Sequence, residues 1–123
     1  MTDASVRQVT IRRYRERLDT ALGRMLEELL EGAPTGVADP VRYAVMGPGK
    51  RIRPLLLMAA CRATGGDPEA AAPLACSVEL VHAYSLVHDD LPCMDDDVLR
   101  RGRPTVHVRY GTRAAVLAGA AAR

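Results

Sequence analysis

Five carboxylates fall within nine residues of this chain, in Asp89-Asp90-Leu91-Pro92-Cys93-Met94-Asp95-Asp96-Asp97. Like charges at that density repel, so the run costs stability unless a cation neutralises it. Three features separate it from an ordinary solvated acidic loop. It follows an apolar helical segment directly, it interleaves Leu91, Pro92 and Met94 with the acids, and Arg100 and Arg101 come at once after it. A calcium loop of the EF-hand type needs oxygen ligands at positions 1, 3 and 5. Counted from Asp89, positions 3 and 5 are Leu91 and Cys93; counted from Asp95, position 5 is Leu99. Zinc fits no better, because His82, His88, Cys93 and His107 lack finger or catalytic spacing. Carboxylates without a full cage of protein ligands suit magnesium, which completes its octahedron with water and phosphate oxygens.

A second cluster has the opposite sign. Gly47-Pro48-Gly49-Lys50-Arg51-Ile52-Arg53-Pro54 is a glycine-rich turn with three cations, set just before a helix. Lys50 and Arg53 are placed to face one anion, helped by the helix N-terminus. The chain uses Arg sixteen times and Lys once, at Lys50, which points to a need for a compact ammonium there. The spacing is not that of a P-loop. His82 precedes Asp89 by seven residues, two helical turns, so both belong to one helix face.

These groups need helices to position them. Residues 5–31 read as one long helix, with Ile11, Tyr14, Leu18, Leu22, Met25 and Leu29 as its apolar stripe and Gly32 and Pro34 as its stop. Asp39-Pro40 reads as an N-cap and first-turn proline opening a short helix that ends at Gly47-Pro48-Gly49. Pro54 opens a third helix, apolar on almost every side from Leu55 to Cys61, as suits the centre of a bundle, and Gly65-Gly66 closes it. Asp67-Pro68 starts the next segment, Pro73 ends a first short turn or kinks it, and a helix then runs to about His88 or Asp90. Residues 92–104 read as a loop, and a last alanine-rich helix starts near Gly111-Thr112. The expectation is an all-α chain of five or six helices with no strand.

Composition sets the class. Hydrophobic residues make up 48% of the 123 residues, with no Phe or Trp and four Tyr, so aliphatic side chains must build the core. Seventeen basic against fifteen acidic residues leave a net charge of +2, and the scarcity of aromatics removes the stacking platform that single strands need; no nucleic-acid partner is expected. Cys61, Cys76 and Cys93 are odd in number and form no CxxC pair, so a disulfide framework is not expected and a reducing cytoplasm is. Residues 1–30 are too charged for a signal peptide, and no apolar run reaches membrane-spanning length.

Taken together these strings resemble the trans-isoprenyl diphosphate synthases, or polyprenyl synthetases. The matching strings are Gly49-Lys50-Arg51-Ile52-Arg53-Pro54, Glu79-Leu80-Val81-His82, and the run from Val87-His88-Asp89-Asp90 through Arg100-Arg101-Gly102-Arg103-Pro104-Thr105. The four residues between the Asp89-Asp90 pair and Asp95 look like the spacing of bacterial farnesyl and bacterial or plant geranylgeranyl synthases. The resemblance implies an all-α helical bundle of the isoprenoid synthase type around a deep cavity, of which this chain holds the first five or six helices. It implies that 1–123 is the N-terminal portion of a single domain, ending before the second aspartate-rich motif of the family.

The activity it implies joins isopentenyl diphosphate to an allylic diphosphate, with farnesyl or geranylgeranyl diphosphate as product. Asp89 and Asp95 would hold magnesium against the allylic diphosphate, and Arg100 would grip that same group. Lys50, Arg53, His82 and Arg101 would hold isopentenyl diphosphate. Tyr84, with Ser85 beside it, lies five residues before Asp89 and would form a floor to the growing chain, favouring the farnesyl product. The full-length form would be a homodimer. Leu117-Ala118-Gly119-Ala120 resembles the family's L-A-G-D, with Ala120 where Asp is usual. This chain alone is expected to be inactive. The alternative is a non-catalytic helical subunit, or remnant, that associates with a full-length synthase.

Overall fold

The computed structural model describes residues 3–121. They form six helices and one short ribbon: α1 (Asp3–Leu29), α2 (Thr35–Met46), α3 (Ile52–Ala63), α4 (Ala72–Asp89), β1 (Leu99–Arg100), β2 (Arg103–Pro104), α5 (Val106–Tyr110) and α6 (Thr112–Ala121). The chain divides into two compact units, Met1–Met25 with Lys50–Glu79 and Leu26–Gly49 with Leu80–Arg123. No helix among the described residues is long and apolar enough to cross a membrane.

In the first unit Leu18, Leu22, Met58, Ala75 and Cys76 are fully buried. The expected α1 stripe is only partly the buried one. Leu18 and Leu22 are inside, but Ile11 is 55% exposed and Leu29 64%, while Leu26 and Leu30 are buried in the second unit. The buried row Leu18-Leu22-Leu26-Leu30 advances by four residues, so it slants across the helix instead of following the 3.6-residue stripe.

Helix α3 is a clearer departure. Only Pro54 and Met58 are buried, and Leu56 is 64% exposed. An apolar sequence allows burial on all sides, but burial needs neighbours, and the described residues supply them along one line. Its end follows expectation. Gly65, at φ +89°, donates its N–H to the Arg62 carbonyl, and the Gly66 N–H bonds the Cys61 carbonyl at 2.9 Å, a Schellman closure.

In the second unit α2 starts earlier than Asp39-Pro40. The Ala38 N–H bonds the Pro34 carbonyl at 2.9 Å, and Pro40 is buried inside the helix. Proline there leaves the carbonyl of exposed Gly36 without its helical donor, a loss that water can make good. Val87, Leu91, Val106 and Ala115 form this unit's core, with Tyr43, Ala44 and Tyr110 packed against it.

The stretch 92–104 is not loop throughout. Leu99 pairs with Pro104 and Arg100 with Arg103 in an antiparallel ribbon. The two residues between them, Arg101 at φ 53° and Gly102 at φ 80°, have the positive φ that a type I′ hairpin requires. The five-residue helix α5 then follows, in a stretch to which the sequence assigned no element.

Candidate functional site

Helix α4 ends at Asp89, and the next turn reverses the chain. The Asp90 N–H still bonds the Leu86 carbonyl at 3.0 Å, so Asp90 continues the helical path and turns inward. Met94 and Asp96 both donate their N–H to the Leu91 carbonyl, at 2.9 and 3.0 Å, which folds the loop over buried Leu91. Asp96 takes a left-handed backbone, φ 51°, that Asp tolerates better than most residues. The fold-back brings the Asp95 N–H onto the Asp89 carbonyl at 2.8 Å. Residues six apart in sequence are thereby joined, and both side chains are exposed.

The acids then divide by environment. Asp89, Asp95, Asp96 and Asp97 are exposed, and none forms an ion pair among the described residues. Asp90 is 3% exposed and is gripped by Arg100, with Nε donating to Oδ2 at 2.8 Å and Nη2 to Oδ1 at 2.7 Å. The hydrogen-bonded Asp90 carboxylate raises the Arg100 guanidinium above its ordinary value against the opposing effect of partial burial, and the charges of Asp90, Asp97 and Asp89 add to it. Arg100 is therefore a fixed cation set beside the exposed acids.

The hairpin holds its other arginines just as firmly. Arg101 Nη1 donates to the Pro48 carbonyl at 2.8 Å. Arg103 lies over the Tyr43 ring, 3.7 Å from its centroid, and donates to the Tyr43 carbonyl. Tyr43 in turn donates its hydroxyl to the Pro104 carbonyl at 2.5 Å. The far end of the acidic loop is tied by the Asp97 carbonyl, which accepts from Thr105 Oγ1 at 2.8 Å and faces His107 Nε2 at 2.7 Å.

Two expected site residues on α4 have local partners. Ser85 Oγ donates to the His82 carbonyl at 2.7 Å, one turn back on its own helix. The Tyr84 ring meets His88 edge-on, 6.0 Å between centroids, and a Cβ at Gly119 would collide with the His88 ring. His82 is half-buried.

Lys50 and Arg53 belong to the first unit, and both are exposed. Arg51 between them is buried, with Nη1 on Glu79 Oε1 at 2.7 Å and Nε on Asp19 Oδ1 at 3.2 Å. The three cations of this turn thus split into two that are exposed and one that is buried. Sequence reasoning passed over Arg51, Asp90 and Arg103. Only the position of Glu79 in the Glu79-Leu80-Val81-His82 string hinted that a buried partner existed.

Among the described residues no three His, Cys, Asp or Glu side chains gather to hold an ion by themselves. Asp89 and Asp95, both exposed and joined through their backbones, are of the residue type that could hold magnesium with phosphate and water completing its shell.

Comparison with known proteins agrees in kind. A family model described as Polyprenyl synthetase matches residues 34–123. The chain is 47% identical over 119 residues to the farnesyl diphosphate synthase of Geobacillus stearothermophilus, covering 97% of this chain and 39% of that protein. It is 48% identical over 111 residues to the small subunit of the chloroplastic heterodimeric geranylgeranyl pyrophosphate synthase of Arabidopsis thaliana, covering 89% and 34%. The crystal structure of a geranyltransferase from Legionella pneumophila superposes with a TM-score of 0.92 at 36% identity, over 98% of this chain and 42% of that one. The chain therefore spans well under half the length of the relatives it matches.

Proposed function

The chain belongs to the polyprenyl synthetase family, and on that premise we propose that it carries the diphosphate-binding part of a trans-prenyltransferase, the N-terminal portion of a single synthetase domain. The reaction would condense isopentenyl diphosphate with an allylic diphosphate to give farnesyl or geranylgeranyl diphosphate. The observation that carries this reading is the fold-back that joins Asp95 to Asp89 beside a guanidinium fixed on Asp90.

Asp89 and Asp95 would hold magnesium, which when bound screens the negative charge of the allylic diphosphate and of the leaving group. Arg100, held charged by Asp90, stabilises that diphosphate as its bond to carbon breaks. By family resemblance Lys50, Arg53, His82 and Arg101 would bind isopentenyl diphosphate. Tyr84 and Ser85 would set product length. Holding each substrate by its diphosphate turns the carbon–carbon step into an oriented one. The whole protein would be a homodimer in the cytoplasm, where three unpaired thiols are at home.

A second reading has its own support, since a small subunit of a heterodimeric synthase is among the relatives. Apolar side chains such as Leu56, Leu74 and Val81, all more than half exposed, are available to a partner. On this reading the chain binds a full-length synthase without catalysing.

One experiment separates the two. The purified chain is mixed with the remaining portion of the Geobacillus relative and assayed with radiolabelled isopentenyl diphosphate and geranyl diphosphate. The enzyme reading expects prenyl product that is lost in Asp89→Ala. A folded complex that makes no product overturns it, and a product shift in an added intact synthase, unaffected by Asp89→Ala, supports the subunit.

A further inference from the structure

The turn before α3 holds a non-glycine residue in the left-handed region, Arg51 at φ 55°, at the N-cap of the helix and with no side-chain cap. L residues with a Cβ seldom adopt that backbone, and they keep it only where the surroundings over-determine it. Here the surroundings are two carboxylates from other helices of the same unit. Glu79 lies on α4, Asp19 on α1, and each meets a different nitrogen of one guanidinium. The Arg51 side chain is 5% exposed and the Glu79 side chain 6%, so the Glu79 pair is shielded from water. Asp19, at 40%, is the wetter partner. A planar fork can serve two carboxylates with fixed geometry, whereas an ammonium is a single point charge on a flexible stem.

Lys50 comes immediately before this anchored residue and Arg53 two after it, both exposed. The backbone direction at residue 51 decides where both cations are displayed. A turn free to relax to the right-handed region would swing Lys50 away from Arg53. We propose that Arg51 is a positioning residue: its ion pairs to Glu79 and Asp19 lock the left-handed turn, so that Lys50 and Arg53 present together to one diphosphate. This rests on the reading of Lys50 and Arg53 given above, and extends it to residues that touch no substrate.

The test is calorimetric binding of isopentenyl diphosphate to the chain in EDTA, where no magnesium site contributes. Thermal melts of every variant are recorded alongside. Lys50→Ala and Arg53→Ala report on the reading itself: if neither weakens binding, the turn holds no diphosphate, and the proposal falls with it. If they do weaken it, Arg51→Lys and Glu79→Gln should each keep a cooperative melt and lower affinity roughly tenfold. Added to the double variant Lys50→Ala/Arg53→Ala, either should cause no further loss, because the brace acts only through those two cations. A brace that merely stabilised the fold would give unchanged affinity in Arg51→Lys, or losses that add to those of Lys50→Ala/Arg53→Ala, and either result overturns the proposal while leaving the binding reading intact. Should Arg51→Lys lose its cooperative melt, Glu79→Gln, which keeps the size of the partner, decides by the same two criteria.

Discussion

Asp90 and Arg100 close on each other as a two-pronged pair, with the carboxylate side chain 4% exposed and the guanidinium 34%. The pair links the end of α4 to the first strand of the hairpin. It divides one acidic run into a structural member and a set of exposed ones. A buried carboxylate that loses its charge leaves a guanidinium half-satisfied, whereas an exposed acid among like charges relieves repulsion when neutralised.

Asp89 and Asp90, neighbours in sequence, should respond differently to loss of charge. Asp90→Asn should destabilise the chain by about 1–3 kcal/mol, since the pair is partly open to water on the arginine side. Asp89→Asn should change stability by no more than about 0.5 kcal/mol, in either direction. Urea unfolding followed by circular dichroism measures both. Equal losses would mean that the division of the acidic run is wrong.

That division shows what sequence can and cannot reveal. The closure of α3 was legible because its signal is local, two glycines after the last helical turn. The acidic run stood out as a candidate metal and phosphate site because five like charges in nine residues need an explanation. Which acid is buried was not, because that depends on Arg100, ten residues away in sequence, being folded back by a hairpin. The hairpin itself was hidden, since Arg101-Gly102 lacks the Asn or Asp that usually marks a type I′ turn. Arg51 looked like a third surface cation because its partners lie 28 and 32 residues away. At α2 the local signal misled: Asp39-Pro40 has the form of a helix start, but the Pro34 carbonyl begins the hydrogen bonding a turn earlier.

Magnesium should govern diphosphate binding at the α4 end. Calorimetry with inorganic diphosphate is expected to show a tighter phase with magnesium than with chelator, and Asp89→Ala or Asp95→Ala should weaken that phase by about tenfold or more. Binding that remains in chelator belongs to the basic turn and should survive both substitutions. Identical isotherms with and without magnesium would rule out the proposed ligands.

A pH effect is expected from the first unit. Cys76 is fully buried, and burial, assisted by the Glu79 carboxylate, raises its thiol above the ordinary value of 9.0. The unfolded chain then loses this proton at lower pH than the folded one. The contribution is fully present below pH 9.0 and is lost as pH climbs towards the folded value. Urea midpoints should fall across that range, and Cys76→Ala should flatten the fall while lowering the midpoint at neutral pH. The difference between the two proteins is the quantity that counts. Parallel curves would remove Cys76 from the effect.

Product length is the furthest-reaching prediction, and Tyr84 carries it. Its ring is half-buried and stands edge-on to His88, one turn nearer the end of α4. The His88 ring is itself confined, with Nε2 3.3 Å from the Val116 carbonyl and no room left for a Cβ at Gly119. A side chain set edge-on against so fixed a neighbour is blocked on that side, and a tyrosine fills far more volume than an alanine. If α4 lines the space that receives the growing chain, Tyr84 is a rigid floor to it. Ser85 is a weaker candidate, because its hydroxyl is turned back onto the His82 carbonyl. The test joins this chain to the remaining portion of the Geobacillus relative and compares products by chromatography. Tyr84→Ala should lengthen them by at least one isoprene unit, Tyr84→Phe should leave them unchanged because volume and not the hydroxyl sets the limit, and Ser85→Ala should have the smaller effect. A product spectrum that is the same in Tyr84→Ala as in the unsubstituted chimera would place the floor elsewhere.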